Sequence, residues 1–229
     1  MKLYHFPAIA CGLITLAACA PAATTVDRSA SRHDAEASIT MKGSLLQTML
    51  ACDGGLFSYI AKHEEELATV APLDNPAPGY ARFALNVPGK QGKTRFQKGL
   101  SVGGIETKGF LYDLASDRSS IYWGFYVAGT PAEVAKSIRP LLDTKQGAVA
   151  SGLGAGGFVR LEWRIDGRWT PLAVAASHGE NNGDLRYEER VLEISEDTLP
   201  DGSKGTLLAC SLQHNRTPLS EDLLRGIVP

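Results

Sequence analysis

Gly99-Leu100-Ser101-Val102-Gly103 has the spacing G-x-S-x-G. A serine in that frame can act as an acyl-transfer nucleophile when a sharp strand-to-helix turn lifts its hydroxyl clear of a sheet. Ester hydrolysis would then need a histidine base and a carboxylate to orient it. His178 or His214, with Asp113 or Asp166, follow in the chain, and Ser101, His178 and Asp166 form the candidate trio. The context argues against an elbow, because Gly103-Gly104 leads into another strand-like stretch and no helix follows. A glycine-bearing strand or bulge is the competing reading. Gly152-Leu153-Gly154-Ala155-Gly156-Gly157 matches G-x-G-x-x-G, but a dinucleotide site needs a strand before it and a helix after it. Here a helix precedes and a strand follows, so the segment reads as a flexible loop. His63-Glu64-Glu65-Glu66 lacks the second histidine of a zinc-binding helix. Glu180-Asn181-Asn182-Gly183-Asp184 lacks the spacing of a calcium loop. Neither a metal nor a cofactor is expected.

The thiols lead to a different chemistry. Lys2 precedes an apolar run from Leu3 to Ala18, shorter than the about 20 residues that span a bilayer. A short basic start, an apolar run and small residues at its end fit a secretory signal peptide. Leu16-Ala17-Ala18-Cys19 resembles the lipobox of bacterial lipoproteins. The resemblance covers these first residues only. It implies that residues 1–18 are removed and that Cys19 carries the lipid as the new N-terminus. Ala20 after the cysteine, where an aspartate would retain the protein at the inner membrane in enteric-type bacteria, implies an outer-membrane anchor facing the periplasm. Cys11 is the poorer candidate, since Ala8 stands where the family prefers leucine. With Cys19 acylated, Cys52 and Cys210 remain as a pair. In an oxidising compartment a disulfide between them is the default, with two buried free thiols as the alternative.

The chain carries 23 Lys+Arg against 25 Asp+Glu, and 44% of its residues are hydrophobic. No basic stripe exists to neutralise phosphates, so nucleic acid is not an expected partner. Residues 19–42 are rich in Ala, Ser, Thr and Asp without periodicity. They read as a tether whose reach as a coil is roughly 25 Å. Residues 43–229 read as one periplasmic domain.

Within that domain the positions of the chemical groups depend on a helix–strand alternation. Ser44–Ala51 and Leu56–Ala71 have helical spacing, broken at Asp53-Gly54-Gly55. Strands are expected near 82–87, Thr94–Val102, Gly109–Leu114 and Ile121–Ala128, with a turn at Ser116-Asp117-Arg118-Ser119. Thr130-Pro131-Ala132-Glu133 is a capping box with proline at the first helical position. Val159, Leu161, Trp163 and Ile165 alternate with Arg160, Glu162 and Arg164, and Asp166-Gly167 is a strong hairpin signal. Strands near Trp169–Ala176, Leu185–Ile194 and Thr206–Gln213 follow, then a short helix around Pro218–Arg225. Short strands joined by tight turns, with few helices, indicate an α+β fold with antiparallel sheet and helices packed on one face. The order suggests two helix-plus-four-strand halves, 43–129 and 130–229. In element order alone it resembles the tandem layout of the β-lactamase-inhibitor protein class.

Phe110, Tyr112, Tyr122, Trp123, Phe125 and Tyr126 cluster on two consecutive strands. Alternation puts Trp123 and Phe125 on one face and Tyr122 and Tyr126 on the other. With Trp123 and Phe125 against the helices, Tyr112, Tyr122 and Tyr126 are the expected contact surface for another protein. Arg160, Glu162, Arg164 and Arg168 are expected on an outer face as a polar rim. The sequence thus reads as a lipid-anchored module that binds another envelope or secreted protein, an inhibitor, immunity protein or accessory subunit. An envelope serine hydrolase using Ser101 is the alternative.

Overall fold

The alternating segments become strands because each has one face to bury and a turn at its end. The computed structural model describes residues 39–41, 44–86, 92–142, 150–153, 157–171, 188–214 and 217–228. In chain order these form β1 (Ile39–Met41), α1 (Ser44–Leu50), α2 (Gly55–Lys62), α3 (Glu64–Leu67), β2 (Leu73–Ala77), β3 (Tyr80–Phe83), β4 (Lys93–Val102), β5 (Ile105–Leu114) and β6 (Ser120–Val127). Then come α4 (Pro131–Ile138), a 3-10 turn (Arg139–Leu141), β7 (Ala150–Leu153), β8 (Gly157–Ile165), β9 (Arg168–Pro171), β10 (Glu188–Thr198), β11 (Lys204–His214) and α5 (Glu221–Leu224). All belong to one unit, Glu36–Pro229.

The main sheet runs β1-β4-β5-β6-β11-β10-β8-β7, with β9 also paired to β8; β2 and β3 form a separate hairpin. Every pairing is antiparallel except β1 with β4. The fold class is therefore α+β, as the turn spacing implied. The two halves meet through their last strands, β6 and β11. They divide their strands differently, since the first half sends β2 and β3 out of the main sheet. Ile39–Met41, which the composition assigned to the tether, instead pairs with Leu100–Val102 and adds an edge strand to the sheet.

Every described helix packs on one face of this sheet. Leu45, Leu46 and Met49 of α1, Leu56, Phe57 and Ile60 of α2, Leu67 of α3, Val134 and Ile138 of α4 and Leu224 of α5 share one core with the sheet. From the strands that core takes Phe110, Ile121, Trp123, Phe125, Leu192, Ile194, Leu208 and Leu212. The start of α4 is fixed as the capping box requires: Glu133 N–H donates to Thr130 Oγ1 at 3.4 Å and Thr130 N–H to Glu133 Oε2 at 2.8 Å. The segment from 217 onward also enters the core. Tyr80 donates to the Ile227 carbonyl at 2.8 Å, and Ile227 is buried.

Candidate functional site

Ser101 sits in the regular part of β4, paired with Thr40 of β1 and Glu106 of β5. The glycines after it serve a hairpin: Gly103 and Gly104 have φ of 59° and 84°, which a two-residue β-turn of the primed type requires. No strained strand-to-helix turn is present, so the motif is a glycine-flanked strand. Asp166 lies in the β8–β9 turn, and five strand spacings separate β8 from β4, roughly 24 Å at the usual interstrand distance. His214 ends β11, eight residues beyond Thr206, which shares the Ser101 end of the sheet; that is roughly 26 Å along a strand. Asp113 lies seven residues along β5 from the partner of Ser101, roughly 23 Å. His178 lies outside the described residues. The hydrolase trio is therefore not assembled around Ser101, because the sheet order keeps Asp166 from it.

The cysteine pair is joined. Cys52 and Cys210 form a disulfide with Cα atoms 5.3 Å apart, linking the end of α1 to β11. Cys19 lies outside the described residues. Among the described residues no group of three or more His, Cys, Asp or Glu is arranged to hold a metal ion.

The expected tyrosine surface is corrected at two of its three positions. Tyr112 pairs with Trp123 and shares its face, so it points into the helix-covered core. It is 4% exposed and its hydroxyl donates to the Ile227 carbonyl at 3.3 Å. Phe57 of α2 meets its ring edge-on at 5.9 Å. The reading failed there because the turn after β5 pairs Leu114 with Ile121, which sets Tyr112 directly opposite Trp123, and directly opposed residues share a face. Tyr126 is on the face that none of the described helices covers, helix-free in that sense, as expected, but it is 1% exposed. Lys93 lies 4.6 Å above its ring and is itself paired to Asp197 at 3.8 Å. Burial, and then Asp197, push the Tyr126 hydroxyl above the ordinary tyrosine value. Tyr122 remains half-buried on that face.

The expected polar rim on β8 is also corrected. Arg160 and Glu162 lie on the helix-covered face and are 2% and 1% exposed. Glu162 Oε2 accepts from Arg190 Nε at 2.9 Å and lies 2.8 Å from Arg190 Nη2 and 3.4 Å from Arg160 Nε. The two guanidiniums also donate to the end of α1: Arg160 Nη2 to the Leu50 carbonyl at 2.8 Å and Arg190 Nη1 to the Ala51 carbonyl at 3.0 Å. The negative end of a helix is a fitting place for cations. Trp169 stacks under Arg190, 4.6 Å from ring centre to guanidinium. Burial lowers both arginines from their usual value, and Glu162 opposes that. This cluster holds α1 rather than forming a rim. Arg164 shares its face and bridges Glu188 at 2.9 Å and Asp222 at 2.6 Å. Only Arg168 of the four is exposed.

With the arginines turned inward, the apolar side of β8 faces the other way. One row across the helix-free face reads Asp113, Tyr122, Ser211, Val191, Leu161. The next reads Ser120, Gln213, Glu189, Trp163. Tyr122, Leu161 and Trp163 are half-buried, and none of them packs with the helix-side core. Trp163 Nε1 donates to Glu189 Oε2 at 3.2 Å. Burial, and then Glu193, push the Tyr122 hydroxyl up; Glu189 and Asp113 add to this while a hydrogen bond with Ser211 works against it. Leu161 and Trp163 were missed as surface residues because alternation alone does not say which side of β8 meets the helices. No family model, curated protein or solved structure matches this chain.

Proposed function

We propose that this chain is a lipid-anchored periplasmic protein-binding module, held at the outer membrane through Cys19 and engaging another envelope or secreted protein. The observation that carries the binding half of this reading is that the described helices all cover one side of the sheet. That leaves Tyr122, Leu161 and Trp163 half-buried together on the opposite face of a sheet stapled by Cys52–Cys210. Aromatic residues on a rigid sheet offer large contact area with little rotamer entropy to lose. The separation of Ser101 from Asp166 takes support from the hydrolase alternative. The anchor rests on the lipobox-like Leu16-Ala17-Ala18-Cys19.

Both halves are tested in cells. Wild-type chain expressed with labelled palmitate should take up label and fractionate with the outer membrane. Cys19→Ser should lose both, and a labelled Cys19→Ser chain would remove the anchor. For the binding half, in-cell photocrosslinking from position 122 or 163 should give one discrete adduct with another protein. Position 65, exposed on α3 at the other side of the sheet, should give none. Equal adducts from all three positions would sink the docking face.

A further inference from the structure

Three carboxylates surround the half-buried aromatic rows. Asp113 stands directly across from Tyr122 on β5. Glu189 stands directly across from Trp163 on β10, and Glu193 is four residues further along the same side of β10. Asp113 is exposed and the two glutamates are half-buried. Among the described residues, two cations border these rows without entering them. Lys93 sits at the Tyr126 end of the face and is held by Asp197 at 3.8 Å, and Arg168 pairs with Ile165 at the outer end of the same face, one row beyond Trp163. The other arginines of β8 and β10, Arg160, Arg164 and Arg190, project to the opposite side, where each meets a carboxylate. The rows of Tyr122 and Trp163 thus combine apolar contact area with negative charge of one sign. The Tyr122 hydroxyl, raised first by burial, is raised further by the same three carboxylates.

We infer that the helix-free face around Tyr122, Leu161 and Trp163 docks a cationic protein surface, one that places an apolar residue between Lys or Arg side chains. The inference rests on the docking face proposed above and adds the chemistry of the partner. An acidic partner meets like-charge repulsion there, and a neutral one leaves Glu189 and Glu193 to be desolvated without a counter-charge. A cationic partner satisfies both rows at once.

Peptide display tests it. A random dodecapeptide library is selected on the detergent-solubilised full chain, and the enriched peptides are synthesised. Their dissociation constants are measured for wild type, for Asp113→Asn/Glu189→Gln/Glu193→Gln, and for Tyr122→Ala/Trp163→Ala. The expected peptides carry an excess of Lys and Arg beside an apolar residue. They should bind each variant about tenfold or more weakly and lose affinity as salt rises. Far-UV dichroism and the retained Cys52–Cys210 bond certify the fold of each variant. Peptides that need Tyr122 and Trp163 but ignore the three carboxylates would overturn the cationic partner and leave the face standing. Peptides indifferent to Tyr122 and Trp163, or no enriched peptide at all, would overturn the face and this inference with it.

Discussion

Glu162→Gln keeps the size of the side chain and removes its charge. In the folded chain Glu162 is 1% exposed and is the carboxylate shared by Arg190, at 2.8 and 2.9 Å, and Arg160, at 3.4 Å. Its loss leaves two buried guanidiniums facing each other without the carboxylate they share, beside the α1 carbonyls and, for Arg190, the Trp169 ring. Breaking a buried pair from one side costs about 3–5 kcal/mol. That is a large share of the about 5–15 kcal/mol that holds a domain folded, and corresponds to a melting point lower by roughly 10 °C. Urea unfolding of the oxidised protein, followed by tryptophan fluorescence and far-UV dichroism, measures it. A surface glutamate would lose only about 0.5 kcal/mol. A loss below about 1 kcal/mol would therefore refute the buried cluster and return Glu162 to an outer face. Arg190→Met in the same background should cost less than it does alone, since Glu162→Gln has already removed its partner.

Reduction of the Cys52–Cys210 bond opens a loop with a sequence separation of 158 and should lower stability by up to about 5 kcal/mol on chain-entropy grounds; unfolding midpoints that coincide with and without reductant would contradict this. Ser101→Ala should leave any ester turnover by the purified chain at its wild-type level, and labelling of Ser101 by a serine-reactive phosphonate would overturn that. Arg164, helped by a hydrogen bond with Ser220, draws the exposed Asp222 carboxyl down to about 2. A carboxyl lowered in the folded state contributes stability above its unfolded value, about 3.9, and loses it as the pH falls through the folded value. Stability should therefore decline between pH of about 4 and about 2, and Asp222→Asn should flatten that part of the profile; an unchanged profile would remove the Arg164 contact from the account.

Local signals in the sequence located most elements. The capping box at Thr130 and the Asp166-Gly167 turn fall where read, because both are settled by a few adjacent residues. The Cys52–Cys210 bond followed from counting thiols once Cys19 was set aside. Long-range register was not legible. Tyr112 lies on the core face because the β5–β6 turn pairs Leu114 with Ile121 and so sets Tyr112 opposite Trp123, a pairing that the turn residues do not announce. The helix over Leu56–Ala71 broke at His63, which stacks on Tyr59 at 4.2 Å, and its remainder became the short α3. Ile39–Met41 looked like tether because three residues are too few to show a period. The candidate trio failed on sheet order, which places β4 and β8 far apart although each is plain in the sequence.

The inversion of β8 has the widest consequence. Its alternation allows two solutions, apolar side inward or charged side inward. The first gains about 2 kcal/mol for each large apolar side chain buried. The second is open only where every charge finds a partner, and here it does: Glu162 lies between two arginines, and the arginines reach the Leu50 and Ala51 carbonyls at the negative end of α1. Moving β8 by one residue would restore Leu161 and Trp163 to the core, strip α1 of Arg160, and put Glu162 on the helix-free face. The buried cluster and the half-buried aromatic rows are therefore one choice of register. Stability alone accounts for the cluster only through its grip on α1. On the proposed reading, the apolar contact area displaced to the other face gains its stabilisation from a docked partner, and the negative charge within its rows selects a cationic one.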